Sequence, residues 1–250
     1  MGFIGRNGAG KTTTLKSMLN LVHADSGEIR FFGLEMKENE FEIKQRISFI
    51  FGSVNYYQQK TLKTIAEVYK RFYKTWDEPI YRDYMERFAL DPQKKISQLS
   101  QGMSIKFALA LALSHHAELF ILDEPTSGLD PVSRDELLTI FTDLVDREGA
   151  SILFSTHITS DLDKNADDIT YLKNGEILAS QDKRSFVDAY RMLQGSVDQM
   201  DDALKVKIIG TAERKGEISG LIRTVDAAAF EGFALSPADL ESIMIHIERG

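Results

Sequence analysis

The sequence predicts an α/β fold: a mainly parallel sheet flanked by helices, with an inserted helical subdomain and a small C-terminal α+β appendage. Three observations predict it. A short apolar strand runs into a glycine-rich turn and then a helix within residues 2–21. Short apolar runs alternate with helix-period segments as far as about residue 180, the pattern of strands joined by crossover helices. Between about 54 and 115 that pattern gives way to helical spacing rich in Tyr, Phe and Trp.

Each element has its own signal. Gly2 to Ile4 ends a strand, Gly5 to Gly10 is a loop, and Lys11 to Leu21 reads as a helix. Glu28 to Phe32 is a short strand closed by Gly33. Phe41 to Gln45 is helical, and Ile47 to Phe51 is an apolar strand with β-branched and aromatic residues. Leu62, Ile65, Val68, Tyr69 and Phe72 recur at helical spacing. Ile80, Tyr84, Met85 and Phe88 do so again before a stop at Asp91-Pro92. These aromatics are expected to form the core of the helical subdomain, with a protein-docking surface as the other use for them. Ile105 to His115 is a helix and Leu119 to Leu122 a buried strand. Arg134 to Arg147 is a helix with Leu137, Leu138, Phe141, Leu144 and Val145 on one face, ended by Gly149. Ser151 to Ser155 is another buried strand. Ile169 to Leu172 and Glu176 to Ala179 form a hairpin around Lys173-Asn174-Gly175.

Beyond about Gln181 the pattern weakens. A helix is expected near Ser185 to Leu193, then a polar stretch, then strands at Lys205 to Ile209 and Glu217 to Thr224. Ser236 as N-cap, Pro237 at N1 and Asp239 at N3 start a last helix carrying Leu240, Ile243, Met244 and Ile247 on one face. The expected domains are residues 1–180, with the helical subdomain at about 54–115, and the appendage 181–250.

Composition narrows the function. Hydrophobic residues make up 43% of the 250 and charged residues 27%, as in a packed globular protein. The formal charge is 30 − 38 = −8, which argues against nucleic acid as a partner. Without cysteine, neither a disulfide nor a thiolate metal site forms. The longest apolar run, Phe107 to Leu113, is far below the ~20 residues of a membrane helix. Action at a membrane would therefore go through another protein. The residues before Gly5 are not a signal-peptide core, and Arg6 stands where a myristoylation signal needs Ser or Thr.

Two motifs carry chemistry. Gly5-Arg6-Asn7-Gly8-Ala9-Gly10-Lys11-Thr12, followed by Thr13, fits the P-loop pattern between a strand and a helix. Its glycines let backbone N–H groups turn toward phosphates, Lys11 supplies a cation, Thr12 offers a hydroxyl to Mg²⁺, and the helix aims its positive end at the same place. Leu119-Phe120-Ile121-Leu122-Asp123-Glu124 is a buried strand that ends in two carboxylates. Asp123 suits the Mg²⁺ shell, and Glu124 suits the polarising of an attacking water.

The chain resembles the ABC ATPase family over roughly residues 2–180. Five segments in the family's order carry the resemblance: the P-loop, Leu99-Ser100-Gln101-Gly102-Met103, Leu122-Asp123-Glu124-Pro125, Ser127-Gly128-Leu129-Asp130 and Ser155-Thr156-His157. The resemblance implies an ATP- and Mg²⁺-dependent ATPase that works as a head-to-tail homodimer, or heterodimer with a paralogue. Each ATP would lie between one subunit's P-loop and the other's signature, contacted by Ser100, Gln101 and Gly102. It also implies Asp130 at the dimer seam and His157 on the γ-phosphate. A separate integral-membrane permease, an export direction and a cytoplasmic position on the inner face of the membrane follow from the same resemblance. The other readings are a soluble ABC ATPase acting on ribosomes or DNA, and a weakly hydrolysing regulatory subunit. His23, His115, His116 and His246 lack such context and are expected to be structural or surface residues.

The chain departs from the family pattern in places. The family has a longer segment before the P-loop, with an aromatic that stacks on adenine. Its N-terminal strands look truncated here, so weak nucleotide affinity or poor stability is expected, since stacking on a base is worth ~1–3 kcal/mol in nucleic-acid complexes. The family's Q-loop Gln should fall near Gly52, where Gly52 and Ser53 stand, with Gln58 or Gln59 as substitutes. Gln101 and Met103 replace the usual Gly and Gln of the signature.

Overall fold

A computed structural model describes residues 1–51 and 57–250. Two compact units divide the chain: Gly10–Thr156, and Met1–Ala9 together with His157–Gly250. From the N-terminus, β1 (Gly2–Ile4) leads into the glycine-rich loop.

In the unit Gly10–Thr156, α1 (Lys11–Met18) starts behind Gly10 at φ 108°. It stops short of the expected Leu21 because Asn20 takes the left-handed φ of 57° that ends helices. β2 (Arg30–Phe31) and β3 (Leu34–Glu35) pair antiparallel across Phe32 and Gly33, at φ 54° and 82°. The expected single strand is thus one arm of a small hairpin. α2 (Glu40–Arg46) and β4 (Ile47–Phe51) follow.

A run of helices begins at α3 (Leu62–Tyr69), capped by Thr61, and continues in α4 (Glu78–Arg87), capped by Asp77 with Pro79 in its first turn. α5 (Gln101–Ser114) starts four residues before Ile105, because Ser100 caps it. Its residues Phe107–Leu113 are buried without exception, since helices pack around it. Tyr69, Tyr73 and Trp76 form a ring cluster, with Tyr73 stacked on His115 at 3.7 Å. Of the aromatics, Tyr81 and Tyr84 are buried and Tyr69, Tyr73, Trp76 and Phe88 half-buried, whereas Phe72 faces outward, as does Val68.

β5 (Leu119–Asp123), α6 (Pro131–Glu148) and β6 (Ser151–Thr156) complete this unit. β4, β5 and β6 are parallel, and their register sets Phe51, Asp123 and Ser155 side by side at the carboxyl ends. Ligand crevices of parallel sheets lie at those ends.

The other unit continues with α7 (Thr159–Asn165), which had no periodic signal, and β7 (Asp168–Lys173), parallel to β1. β8 (Glu176–Asp182) returns antiparallel to β7 through Asn174 and Gly175, both at positive φ, as the Asn-Gly turn predicts.

Residues 181–250 correct the expected pattern in three places. α8 (Lys183–Asp188) is short, and the second half of the expected helix is β9 (Tyr190–Ser196). The expected strand at 205–209 is split between α9 (Asp202–Lys205) and β10 (Ile209–Arg214). β11 (Glu217–Arg223) is as read, but Ser236 and Pro237 belong to β12 (Ala234–Pro237), and Asp239 caps α10 (Leu240–Arg249). The four strands run antiparallel in the order β10-β11-β9-β12 over a core that includes Leu193, Ile218, Ile222 and Phe230. α10 packs on β10, β11 and α7. It buries Leu240, Ile243 and His246, and the Nδ1 of His246 lies 2.5 Å from the Gly210 carbonyl.

Candidate functional site

The apolar run Phe120-Ile121-Leu122 is fully buried, so β5 is held in the sheet and delivers Asp123 at its carboxyl end, itself 6% exposed. Both oxygens of that carboxylate are engaged. Thr12 Oγ1 donates to Oδ2 at 2.7 Å, and Ser155 Oγ donates to Oδ1 at 2.5 Å. Buried polar oxygens call for such donors.

Glu124 follows at φ 50°, a region L-residues with side chains seldom enter. Its N–H donates to the Ser155 carbonyl at 3.1 Å and lies 3.0 Å from Ser155 Oγ. Its carboxylate meets Lys11 Nζ at 3.2 Å, and Lys11 is 5% exposed. The buried ammonium is thereby paired, and Lys11, Thr12, Asp123 and Glu124 form one cluster, as the two motifs predict. Ser155 at its centre was read only as part of a motif. Its position at the end of a buried strand is the one signal the sequence carries for it, and the register beside Asp123 comes from the fold.

The first part of the glycine-rich loop is fixed from β7. A Cβ on Gly5 would stand 2.3 Å from the Leu172 carbonyl oxygen, so only glycine allows this approach. The Gly175 N–H donates to the Ala9 carbonyl at 2.9 Å, and the Ala9 N–H to that of Arg6 at 3.1 Å. Arg6, Asn7 and Gly8 are exposed. A Cβ on Gly8 would meet nothing within 4 Å, so glycine serves there for its φ of 85° rather than for room.

These residues fit a nucleotide and a hard cation. Thr12 and Asp123 bring a hydroxyl and a carboxylate within 2.7 Å of each other. Mg²⁺ is held by that kind of oxygen set, completed by substrate phosphates and water. The start of α1 supplies N–H groups for phosphate.

The signature forms a second cluster. Ser100 Oγ accepts the Met103 N–H at 3.2 Å as the N-cap of α5. Gln101 Nε2 donates to the Ser127 carbonyl at 2.7 Å, tying the signature to Ser127-Gly128-Leu129-Asp130 of the same chain. A Cβ on Gly102 would meet Leu129 and Ser133 only at ordinary contact distances. Asp130 caps α6, accepting from the N–H groups of Val132 and Ser133 at 3.0 and 3.1 Å and from Ser133 Oγ at 2.6 Å. The Ser133 bonds hold its carboxyl below the usual range.

His157 follows β6 directly, ahead of α7. The Q-loop positions Gly52 and Ser53 lie outside the described residues. Gln59 Oε1 accepts from Lys95 Nζ at 3.5 Å, and the Gln58 carbonyl accepts the Ser97 N–H at 3.0 Å, which ties both to the 95–97 segment. Among the described residues no helix is long and apolar enough to cross a membrane.

Residues 1–127 match the family described as ABC transporter. The chain is 31% identical over 197 residues to the ABC transporter ATP-binding protein YtrB of Bacillus subtilis, covering 79% of this chain and 67% of that protein. It is 33% identical over 179 residues to the bacitracin transport ATP-binding protein BcrA of Bacillus licheniformis, covering 71% of this chain and 58% of that one. A solved ATP-binding subunit of an ABC transporter superposes with a TM-score of 0.65 at 28% identity, over 74% of this chain and 80% of the other. The chain thus spans somewhat under two thirds to two thirds of the curated relatives' length.

Proposed function

This chain belongs to the ABC transporter family and has its P-loop NTPase fold, and we propose that it is the ATP-binding and ATP-hydrolysing subunit of a transporter whose membrane-spanning permease is a separate protein. One observation carries the proposal: Lys11 and Thr12 of the P-loop meet Glu124 and Asp123 at 3.2 and 2.7 Å. A phosphate-binding lysine, a metal-binding hydroxyl–carboxylate pair and a carboxylate for water thus share one cluster.

In this reading Lys11 holds the β- and γ-phosphates, and residues Gly5 to Thr13 wrap them with backbone N–H groups. Thr12 and Asp123 hold Mg²⁺, which when bound neutralises charge on the phosphates. Glu124 polarises the attacking water, and His157 contacts the γ-phosphate. Ser100, Gln101 and Gly102 meet the nucleotide of a second subunit, identical or paralogous, with Asp130 at the seam. Residues 1–180 form the ATPase domain and 181–250 an appendage. The relatives named as transport proteins favour this reading over a soluble ATPase of ribosomes or DNA. A relative named as a Nod factor export ATP-binding protein, from Burkholderia lata, supports an export direction, and a position on the inner face of the membrane goes with the permease partner. Exposed Phe72 and Val68 in the helical subdomain suit the permease contact.

The test is nucleotide binding and hydrolysis by the purified chain. Lys11→Ala should abolish both. Glu124→Gln should keep ATP binding and lose on the order of a hundredfold or more in turnover, as removal of a general base does. Undiminished hydrolysis by Glu124→Gln would remove Glu124 from this role.

A further inference from the structure

The last turn of α10 reaches the phosphate loop. Glu248, with a side chain 13% exposed, accepts a hydrogen bond from the Tyr171 hydroxyl at 2.8 Å and lies 3.8 Å from the guanidinium of Arg6. One residue earlier, the Ile247 carbonyl accepts from Lys173 Nζ at 2.6 Å. Tyr171, Lys173 and Gly175 alternate along β7 and its turn, and Gly175 bonds to Ala9 of the loop. One strand therefore grips both the C-terminal helix and the first part of the loop. The carboxylate is largely buried while the arginine is 66% exposed, so Glu248 is the enclosed member of the pair and Arg6 the solvent-facing one.

Building on the ATP-binding reading above, we infer that Glu248 is a positioning residue that restrains nucleotide affinity by holding Arg6 to the C-terminal appendage. Two effects act in the same direction. The pair keeps a loop-borne cation occupied that would otherwise neutralise phosphate. The carboxylate also sets a negative charge beside a loop that receives a polyanion, well within the ~8–10 Å over which salt leaves such fields unscreened. The appendage so gains an influence over the ATPase domain without contributing a catalytic group. Any event that lifts the end of α10 off β7 breaks this pair.

The experiment compares Mg-ATP binding and steady-state hydrolysis in the full chain. Glu248→Gln keeps an acceptor for Tyr171 and removes the charge. It should bind Mg-ATP about twofold to fivefold more tightly, with KM falling by the same factor and kcat within about twofold, the range of a partly exposed ion pair. In the Arg6→Gln background the same change should do less, because the pair is gone and only the effect of the charge itself remains. An unchanged Kd, or looser binding by a variant with an unshifted melting temperature, overturns the inference. Should Glu248→Gln fold poorly, Arg6→Gln alone decides. A loss of less than about twofold fits an arginine already engaged by Glu248, and a large loss says that it already serves the phosphates. Lys11→Ala separates the two levels of argument. Wild-type binding that this change abolishes, with no effect at Glu248, leaves the ATPase reading standing and ends the restraint. A wild-type chain that binds no ATP ends both.

Discussion

At the scale of single residues, the site joins groups whose roles were readable with groups that were not. Lys11, Thr12, Asp123 and Glu124 were legible as one cluster because each is of a type suited to chemistry that few side chains can do, at a spacing set by a strand end or a helix start. Ser155 was less legible, since its role depends on the register that aligns it with Asp123, which is a long-range fact. It supports both Asp123 and the Glu124 backbone. Ser155→Ala should raise the Mg²⁺ concentration needed for half-maximal activity by about tenfold or more, as loss of a supporting bond behind a metal ligand does. A Mg²⁺ titration of ATPase activity checks this. The φ of 50° at Glu124 gives a second prediction. Glu124→Ala and Glu124→Gly both remove the carboxylate, but only Gly relaxes the backbone. The Gly variant should be the more stable of the two by about 1 kcal/mol, measurable by denaturant melts of both proteins.

At the scale of elements, the buried parallel strands were read nearly to the residue, because four or five apolar residues bounded by polar turns leave little choice. Residues 181–250 were not. The strands there are half-exposed, so the pattern of Tyr190 to Leu193 satisfied a helix as well as a strand. The final helix shows the same ambiguity. Ser236 satisfies the local pattern of a cap with Asp239 in the first turn, and the sheet overrides that reading. β12 pairs Ser236 and Pro237 with Met192 and Arg191, which leaves Asp239 Oδ1 to accept the Ser242 N–H at 2.7 Å. Asp239→Ala should therefore cost about 1 kcal/mol, while Ser236→Ala stays within ±0.5 kcal/mol in a thermal melt.

The end of α5 carries a pH dependence. His115 is 1% exposed, stacked on Tyr73, and its ring nitrogens find no hydrogen-bond partner among the described residues. Burial lowers its pKa to about 4, with neighbouring His116 adding in the same direction. The unfolded chain takes up this proton near pH 6.5 and the folded chain only near pH 4. Stability from the neutral ring is complete above pH 6.5 and drains away as pH falls toward 4, by up to about 3 kcal/mol. His115→Phe keeps the stack and has no proton to gain. Its melting temperature should fall less steeply than the wild type's across that window, and parallel curves would exclude His115 as the cause.

At the scale of the whole molecule, the sequence pointed to an assembly: an anion site at the P-loop and another at the start of α5 make sense as two halves supplied by two subunits. Gly102 allows a clean trial of that idea. It lies in the first turn of α5, where an added side chain meets only loose contacts, and an acidic residue there suits the helix dipole. Gly102→Asp should therefore fold at least as well as the wild type and bind nucleotide at its own P-loop, yet repel the phosphates of a facing subunit. Lys11→Ala has the opposite defect. Each variant alone should be inactive. A mixture of the two assembles some pairs in which the intact P-loop of one chain faces the intact signature of the other, so hydrolysis should return to a substantial fraction of the wild-type rate. If each chain worked alone, mixing would restore nothing. An ATPase assay on the separate and mixed proteins distinguishes the two cases, because neither variant supplies by itself what the other lacks.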